Sequence, residues 1–190
     1  MHDSTDRLLI AGLWLAWLLY WYAAASNVKS VQRRETALSR MIYTIPLVAG
    51  AALMFWPRGT GWLFERFVAP QWFVELAGLA ILAAGLAFTV WARLHLGRNW
   101  SGTVTLKQDH ELIRTGPYRF VRHPIYTGLL VAVFGTALAL GQWRGLIALA
   151  LIAASFLRKM RIEEQFLRDI FPDAYERYRA EVRALIPFVY

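Results

Sequence analysis

The sequence predicts an all-α integral membrane protein. About five transmembrane helices are expected, with a cytosolic loop and a C-terminal amphipathic helix closing over a pocket. Three observations carry this expectation. The 190 residues are 57% apolar and only 18% charged, and the charges cluster, leaving long uncharged runs. Lys and Arg fall overwhelmingly in alternate connecting segments. A dense polar cluster, Arg114–Gly128, stands immediately before one of the apolar runs. The absence of cysteine excludes disulfides, thiolate nucleophiles and cysteine-bound zinc or iron–sulfur centres. The net charge of +8 is placed for an inner membrane surface rather than for nucleic acid.

Leu8–Ala25 holds no charge over eighteen residues, enough for one crossing. The leader before it is not basic and the run is long, so it reads as a retained span and not a cleaved signal. Its Trp14, Trp17, Tyr20, Trp21 and Tyr22 suit an interface belt or a packing face for another helix. Ser26–Arg40 is a polar loop. Met41–Trp56 is the second run, with Pro46 inside it, and Arg58–Gln71 is a Gly/Pro/aromatic linker. Trp72–Ala92 is the third span, interrupted only by Glu75. Arg93–Arg122 is too long for a mere connector. Pro124–Leu140 is the fourth span, Gly141–Arg144 a tight break, and Gly145–Leu157 a fifth run that is short for a crossing unless it continues as one long helix. From Arg158 to Arg183, apolar residues recur at three- and four-residue steps, an amphipathic pattern that could rest on a bilayer.

Charge tests this layout. With the N-terminus outside, segments 26–40, 93–122 and 158–190 lie inside and carry 4, 6 and 7 Lys+Arg. Segments 1–7, 58–71 and 141–144 lie outside and carry 1, 2 and 1, so the bias orients the chain. Residues 1–71 read as a two-helix membrane segment with linker, and 72–190 as the functional core. That core comprises spans three to five, loop 93–123 and the C-terminal segment 158–190.

Within Arg114–Gly128, Pro124 suits the first position of a helix, whose start presents free N–H groups and a positive dipole end. Arg119, Arg122 and His123 add charge, so an anion site at the membrane–water boundary is expected. Past the fifth run, Glu163 and Glu164 stand among Arg158, Lys159, Arg161 and Arg168. Ordinary ion pairs on a solvated face would explain them. Alternatively one glutamate turns toward the cluster; only one is expected to, because adjacent helical residues point about 100° apart. An anion-binding helix start facing a carboxylate suits a zwitterion of amino-acid character.

Gly116-x-Tyr118, Arg122-His123-Pro124-x-Tyr126-x-Gly128, the paired glutamates, Phe171-Pro-x-x-Tyr175-x-x-Tyr178 and Leu185-Ile-Pro187 together resemble the isoprenylcysteine carboxyl methyltransferase family, which is related to phospholipid N-methyltransferases. The likeness covers roughly residues 72–190. It implies an S-adenosylmethionine-dependent membrane methyltransferase. It also implies a cofactor site of His110, Glu111, Leu112, Ile113, Tyr118, His123, Pro124, Ile125, Tyr126 and Glu163. Glu164 is the neighbour of Glu163 there. Lys159 stands where the family ties a basic residue to the acceptor, and Arg161 is a substitute for it. Arg122, Lys159, Arg161 and Glu164 are thus the expected catalytic set. The stretch Leu94–Ser101 also recurs in bacterial relatives, and its Arg98 and Trp100 either close over the cofactor or anchor the loop.

Methyl transfer from a sulfonium to a carboxylate needs no general base, since the acceptor is ionised at neutral pH. The family inference is therefore carboxyl O-methylation of a prenylcysteine-like or other lipid carboxylate. An amine acceptor, as in a phospholipid-type N-methyltransferase, would recruit Glu164 or a tyrosine as base. NADPH-dependent membrane sterol reductases share a similar corner and remain a competitor, as does a non-catalytic membrane adaptor. His123 could instead be only a helix cap, and Tyr118 and Tyr126 interface anchors. His95, His110 and His123 are too widely spaced to argue for metal. A lipophilic acceptor would enter sideways from the bilayer to a pocket on the cytosolic face. The acceptor's identity and the oligomeric state are not written in the sequence.

Overall fold

Helix α1 (His2–Ala25) leads to strand β1 (Val31–Arg34), then α2 (Ala37–Phe55) and α3 (Trp72–Leu96). Strand β2 (Thr105–Lys107) precedes α4 (Pro124–Leu140), α5 (Trp143–Ile170) and α6 (Pro172–Glu181). This is a computed structural model, which describes residues 2–25, 31–34, 36–57, 59–97, 105–107 and 112–187. Helices α1, α2 and α3 are long and apolar enough to cross a membrane, and α4 is a shorter apolar helix of 17 residues. The short fifth run does continue into the charged segment as one 28-residue helix, α5. The amphipathic segment behind it is not one helix: Phe171 ends α5 and Pro172 starts α6. The departure from an all-α chain is an antiparallel pair, β1 with β2.

The core is α4 held between α3 and α5. Small residues let α3 and α4 come into backbone contact: a Cβ on Gly85 would lie 2.5 Å from Ala132 N and 2.6 Å from Gly128 O. Between lipid-embedded helices such close approach replaces the missing hydrophobic drive with dispersion contacts. Gly85→Ala is expected to lower the thermal midpoint, at a cost of about 1–3 kcal/mol. Gly12→Ala, with nothing within 4 Å, leaves it unchanged in the same melt.

Helix α1 hangs on this core by two indoles. Trp14 Nε1 donates to Thr136 Oγ1 at 3.0 Å and Trp17 Nε1 to Thr89 Oγ1 at 2.6 Å, both threonines being fully buried. The Trp-rich span is therefore a packing face. On the opposite flank Ser155 Oγ of α5 donates to Tyr43 O of α2 at 2.7 Å.

The two ends of the bundle sort the connecting segments as charge does. At one end β1 pairs with β2, and Val121 pairs with Arg183, so the described parts of segments 26–40, 93–122 and 158–190 meet at that end. At the other, Phe67 N donates to Gly141 O at 2.8 Å, and Trp143 N to Glu65 O at 3.2 Å. Arg7 Nη1 reaches Pro57 O there at 3.1 Å. Buried Arg144 closes this end, bonded to Gln142 and to the carbonyls of Leu53 and Trp56.

Candidate active site

The corner before α4 is built by three local features. Gly116, at φ +59°, adopts a backbone that side chains disfavour, and its bare Cα lets the His95 ring close over it. His95 Nε2 also meets Thr115 Oγ1 at 2.8 Å. Residues Gly116–Arg119 form a 3-10 turn that carries Tyr118 inward, and Tyr178 of α6 donates from its hydroxyl to Tyr118 O at 2.5 Å. The C-terminal segment then straps the corner in place. Arg122 N donates to Arg183 O at 2.8 Å and His123 N to Ala184 O at 3.0 Å. Thr127 Oγ1 donates to Leu185 O at 2.8 Å. With backbone groups satisfied this way, the side chains of Arg122 and His123 face the glutamates. His123 sits at the N-cap position and makes no side-chain cap bond.

Both glutamates reach the corner. The expectation of one fails because the corner wraps around α5: Arg122 lies on the Glu164 side, Tyr126 on the Glu163 side, and His123 between them. Arg122 Nε and Nη2 donate to Glu164 Oε1 at 3.1 and 2.8 Å, and His123 Nε2 lies 3.1 Å from the same oxygen. Tyr126 OH donates to Glu163 Oε1 at 2.5 Å, and His123 Nδ1 stands 3.7 Å from Glu163 Oε2. The His123 and Tyr126 rings stack at 5.7 Å, and Phe156 backs Tyr126 at 4.8 Å. Arg122 Nη1 also donates to Val182 O, tying the charge cluster to the C-terminal strap.

Burial raises the Glu164 carboxyl, but hydrogen bonds and charge from His123 and Arg122 outweigh it and hold it at about 2. Its folded value lies below the ordinary 4.5, so its stabilising contribution is complete above about pH 4.5 and disappears as pH falls toward 2. A thermal midpoint series should show this acid-side loss, and Glu164→Gln should flatten it. Burial, then the Glu163 and Tyr178 charges, pushes the Tyr118 hydroxyl well up; burial does the same for Tyr175 and Tyr178. None of these four groups is poised to take a proton at neutral pH.

A cavity of about 800 Å³ opens between α1, α2, α4 and α5. Its apolar wall includes Trp14, Trp17, Trp21, Leu47, Leu129 and Phe156. Its polar end holds Tyr118, Arg122, His123, Tyr126, Lys159 and Glu163, with Pro124 and Ile125 alongside. Lys159 Nζ stands 5.6 Å from the centres of both the Tyr43 and Tyr126 rings. Arg161 is exposed and borders a separate recess instead. Leu112 and Ile113 are half-buried and do not line the large cavity. His110, Glu111, Arg98 and Trp100 lie outside the described residues. The tryptophan wall was not among the expected site residues, although positions 14, 17 and 21 share one helix face and that spacing was readable.

The phospholipid methyltransferase family model matches residues 73–174, more than half of the chain and all of α4 and α5. The class is thus a helical membrane methyltransferase. A probable protein-S-isoprenylcysteine O-methyltransferase of Oryza sativa subsp. indica is 33% identical over 134 residues, 67% of this chain and 70% of the relative. The chain belongs to the isoprenylcysteine carboxyl methyltransferase family. Methanethiol S-methyltransferase 1 of Bradyrhizobium diazoefficiens is 35% identical, covering 97% of this chain and 69% of that protein. A solved eukaryotic intramembrane Ras methyltransferase, isoprenylcysteine carboxyl methyltransferase, superposes with a TM-score of 0.55 at 27% identity over 78% of this chain. The chain spans about half, 53%, of that solved chain.

Proposed function

We propose that the chain transfers a methyl group from S-adenosylmethionine to the carboxylate of a lipophilic, prenylcysteine-like acceptor. The observation that carries this is an apolar cavity ending in a polar cluster with Arg122 and Lys159 at its mouth, a place for a tailed, anionic acceptor. Glu164 is held ionised by Arg122 and His123, Glu163 is bonded by Tyr126, and the Tyr118 hydroxyl is pushed up. Neither Glu164 nor Tyr118 is poised to take a proton from an acceptor, whereas a carboxylate arrives ionised and needs none removed. This favours O-methylation over a phospholipid-type N-methylation.

The residues fit the donor. A sulfonium beside an α-amino group is cationic, and the cavity's polar end offers the Glu163 carboxylate and the rings of Tyr118, His123 and Tyr126. These residues would hold the donor. When bound, it supplies an electrophilic methyl group. Lys159 is placed to offset the acceptor's negative charge, and the tryptophan wall excludes water, so the protein's contribution is alignment and desolvation. The acceptor's tail enters laterally from the bilayer, along the α1–α2 side of the cavity. The charge bias together with the alternation of bundle ends supports five crossings, an outside N-terminus and a cytosolic site.

The likeness of 97% of this chain to a methanethiol S-methyltransferase favours one second reading, a thiol acceptor. Purified protein incubated with methyl-labelled S-adenosylmethionine and either an S-prenylated N-acylcysteine or methanethiol decides between them. Base-labile label on the prenylated acid supports the ester-forming reading. Base-stable label on the thiol alone overturns it. No transfer to any acceptor, including a lipid extract, overturns both.

A further inference from the structure

On the far side of the Arg122–Glu164 pair from the large cavity lies a second recess, of about 380 Å³. Arg161 and Arg168 reach it from α5, seven residues apart and so on one helix face. Arg179 comes from α6 and Arg183 from the C-terminal strap. The one carboxylate lining it, Glu164, is already engaged by Arg122 and His123. Glu176 pairs with Arg179 Nη1 at 3.2 Å from outside the recess. Arg179 Nε is buried without a hydrogen-bond partner among the described residues, its nearest carboxylate oxygen being Glu164 Oε2 at 3.7 Å. The guanidinium groups of Arg161, Arg168 and Arg183 have no hydrogen bond or ion pair among the described residues.

Four guanidiniums from three separate segments, gathered in one concavity beside the Arg122–Glu164 pair, make a concentrated positive surface that suits an anion. Guanidinium forks match phosphate oxygens in pairs, and several can share one phosphate from different directions. Met160 and Leu157 form an apolar floor continuous with the apolar half of α5. We propose that this recess binds a phosphate group, carried by an anionic lipid headgroup whose acyl chains follow α5 into the bilayer. The lipid as source rests on the cytosolic-leaflet reading above; the phosphate chemistry does not.

The test is a thermal-unfolding titration of the full chain in neutral detergent, at matched ionic strength. Dioleoylphosphatidylglycerol, dioleoylphosphatidylcholine and inorganic phosphate are added separately. The expected result is a saturable rise in midpoint with the anionic lipid and none with the zwitterionic one. R168Q/R183Q should weaken the half-saturating concentration by about tenfold or more. R119Q/R158Q, which removes two cations outside the recess, should leave it unchanged. If inorganic phosphate reproduces the saturable rise and loses it in R168Q/R183Q, the site stands and free phosphate is its ligand. If R168Q/R183Q does not fold, R168K/R183K, which keeps charge but loses the fork, should show the same weakening. No shift in any arm, or equal weakening in R119Q/R158Q, overturns the proposal. The readout needs no methyl transfer, so failure here and failure of the proposed activity are separable.

Discussion

Glu164→Gln lowers kcat/KM by about 100-fold while the bundle stays folded. Glu164 is the hub on which Arg122 and His123 converge, at 2.8 and 3.1 Å. Neutralising it loosens both side chains at that point, Arg122 keeping its bond to Val182 O, and a misplacement of about 1 Å in an aligned site costs on the order of 100-fold. Glu164 is a positioning residue, so the loss should fall mainly on kcat with donor affinity little changed. Arg122→Ala is expected to be worse for stability, because it strands a largely buried carboxylate. Breaking such a pair costs about 3–5 kcal/mol, and the low end applies since Glu164 also borders an open recess. The double variant R122A/E164Q should recover much of that stability and none of the activity. Thermal midpoints and initial rates of the three proteins check the pattern. Equal stability loss in R122A and R122A/E164Q would show that the pair is not the reason.

Ala51→Trp raises KM for a long-tailed acceptor by about tenfold or more, and changes KM for a truncated acceptor little. Ala51 lies on α2 in the apolar wall of the cavity, three residues from Met54 and one turn from Leu47. An indole there occupies the volume the tail would fill, and each displaced methylene forfeits about 1 kcal/mol of burial. Donor affinity, which depends on the opposite end of the cavity, should stay constant. A uniform drop in kcat for both acceptors would mean the tail lies elsewhere.

Much of this was legible in the sequence, for identifiable reasons. The span Pro124–Leu140 has the same bounds in chain and helix, because Pro124 favours the first turn of a helix and Gly141, at φ +63°, readily ends one. The meeting of Arg122–Tyr126 with the glutamate pair could be argued from charge alone. Its detail could not: that both glutamates engage depends on how the strap at Arg183 and Ala184 turns the corner, and backbone pairing between residues so far apart leaves no local pattern. Arg161 shows the same limit. Its position two residues from Lys159 carries it around α5 to a different recess, which spacing permits but does not choose. The role of Trp14 and Trp17 was half visible, as an aromatic face whose partners, Thr136 and Thr89, lie in other helices.

The most direct measurement is an experimental structure of the full chain with S-adenosylhomocysteine bound. The demethylated donor should contact Glu163 and the Tyr126 and Tyr118 rings at the polar end of the large cavity. Density for it in the arginine-lined recess, or anywhere that leaves Glu163 and Tyr126 untouched, would contradict the proposed site.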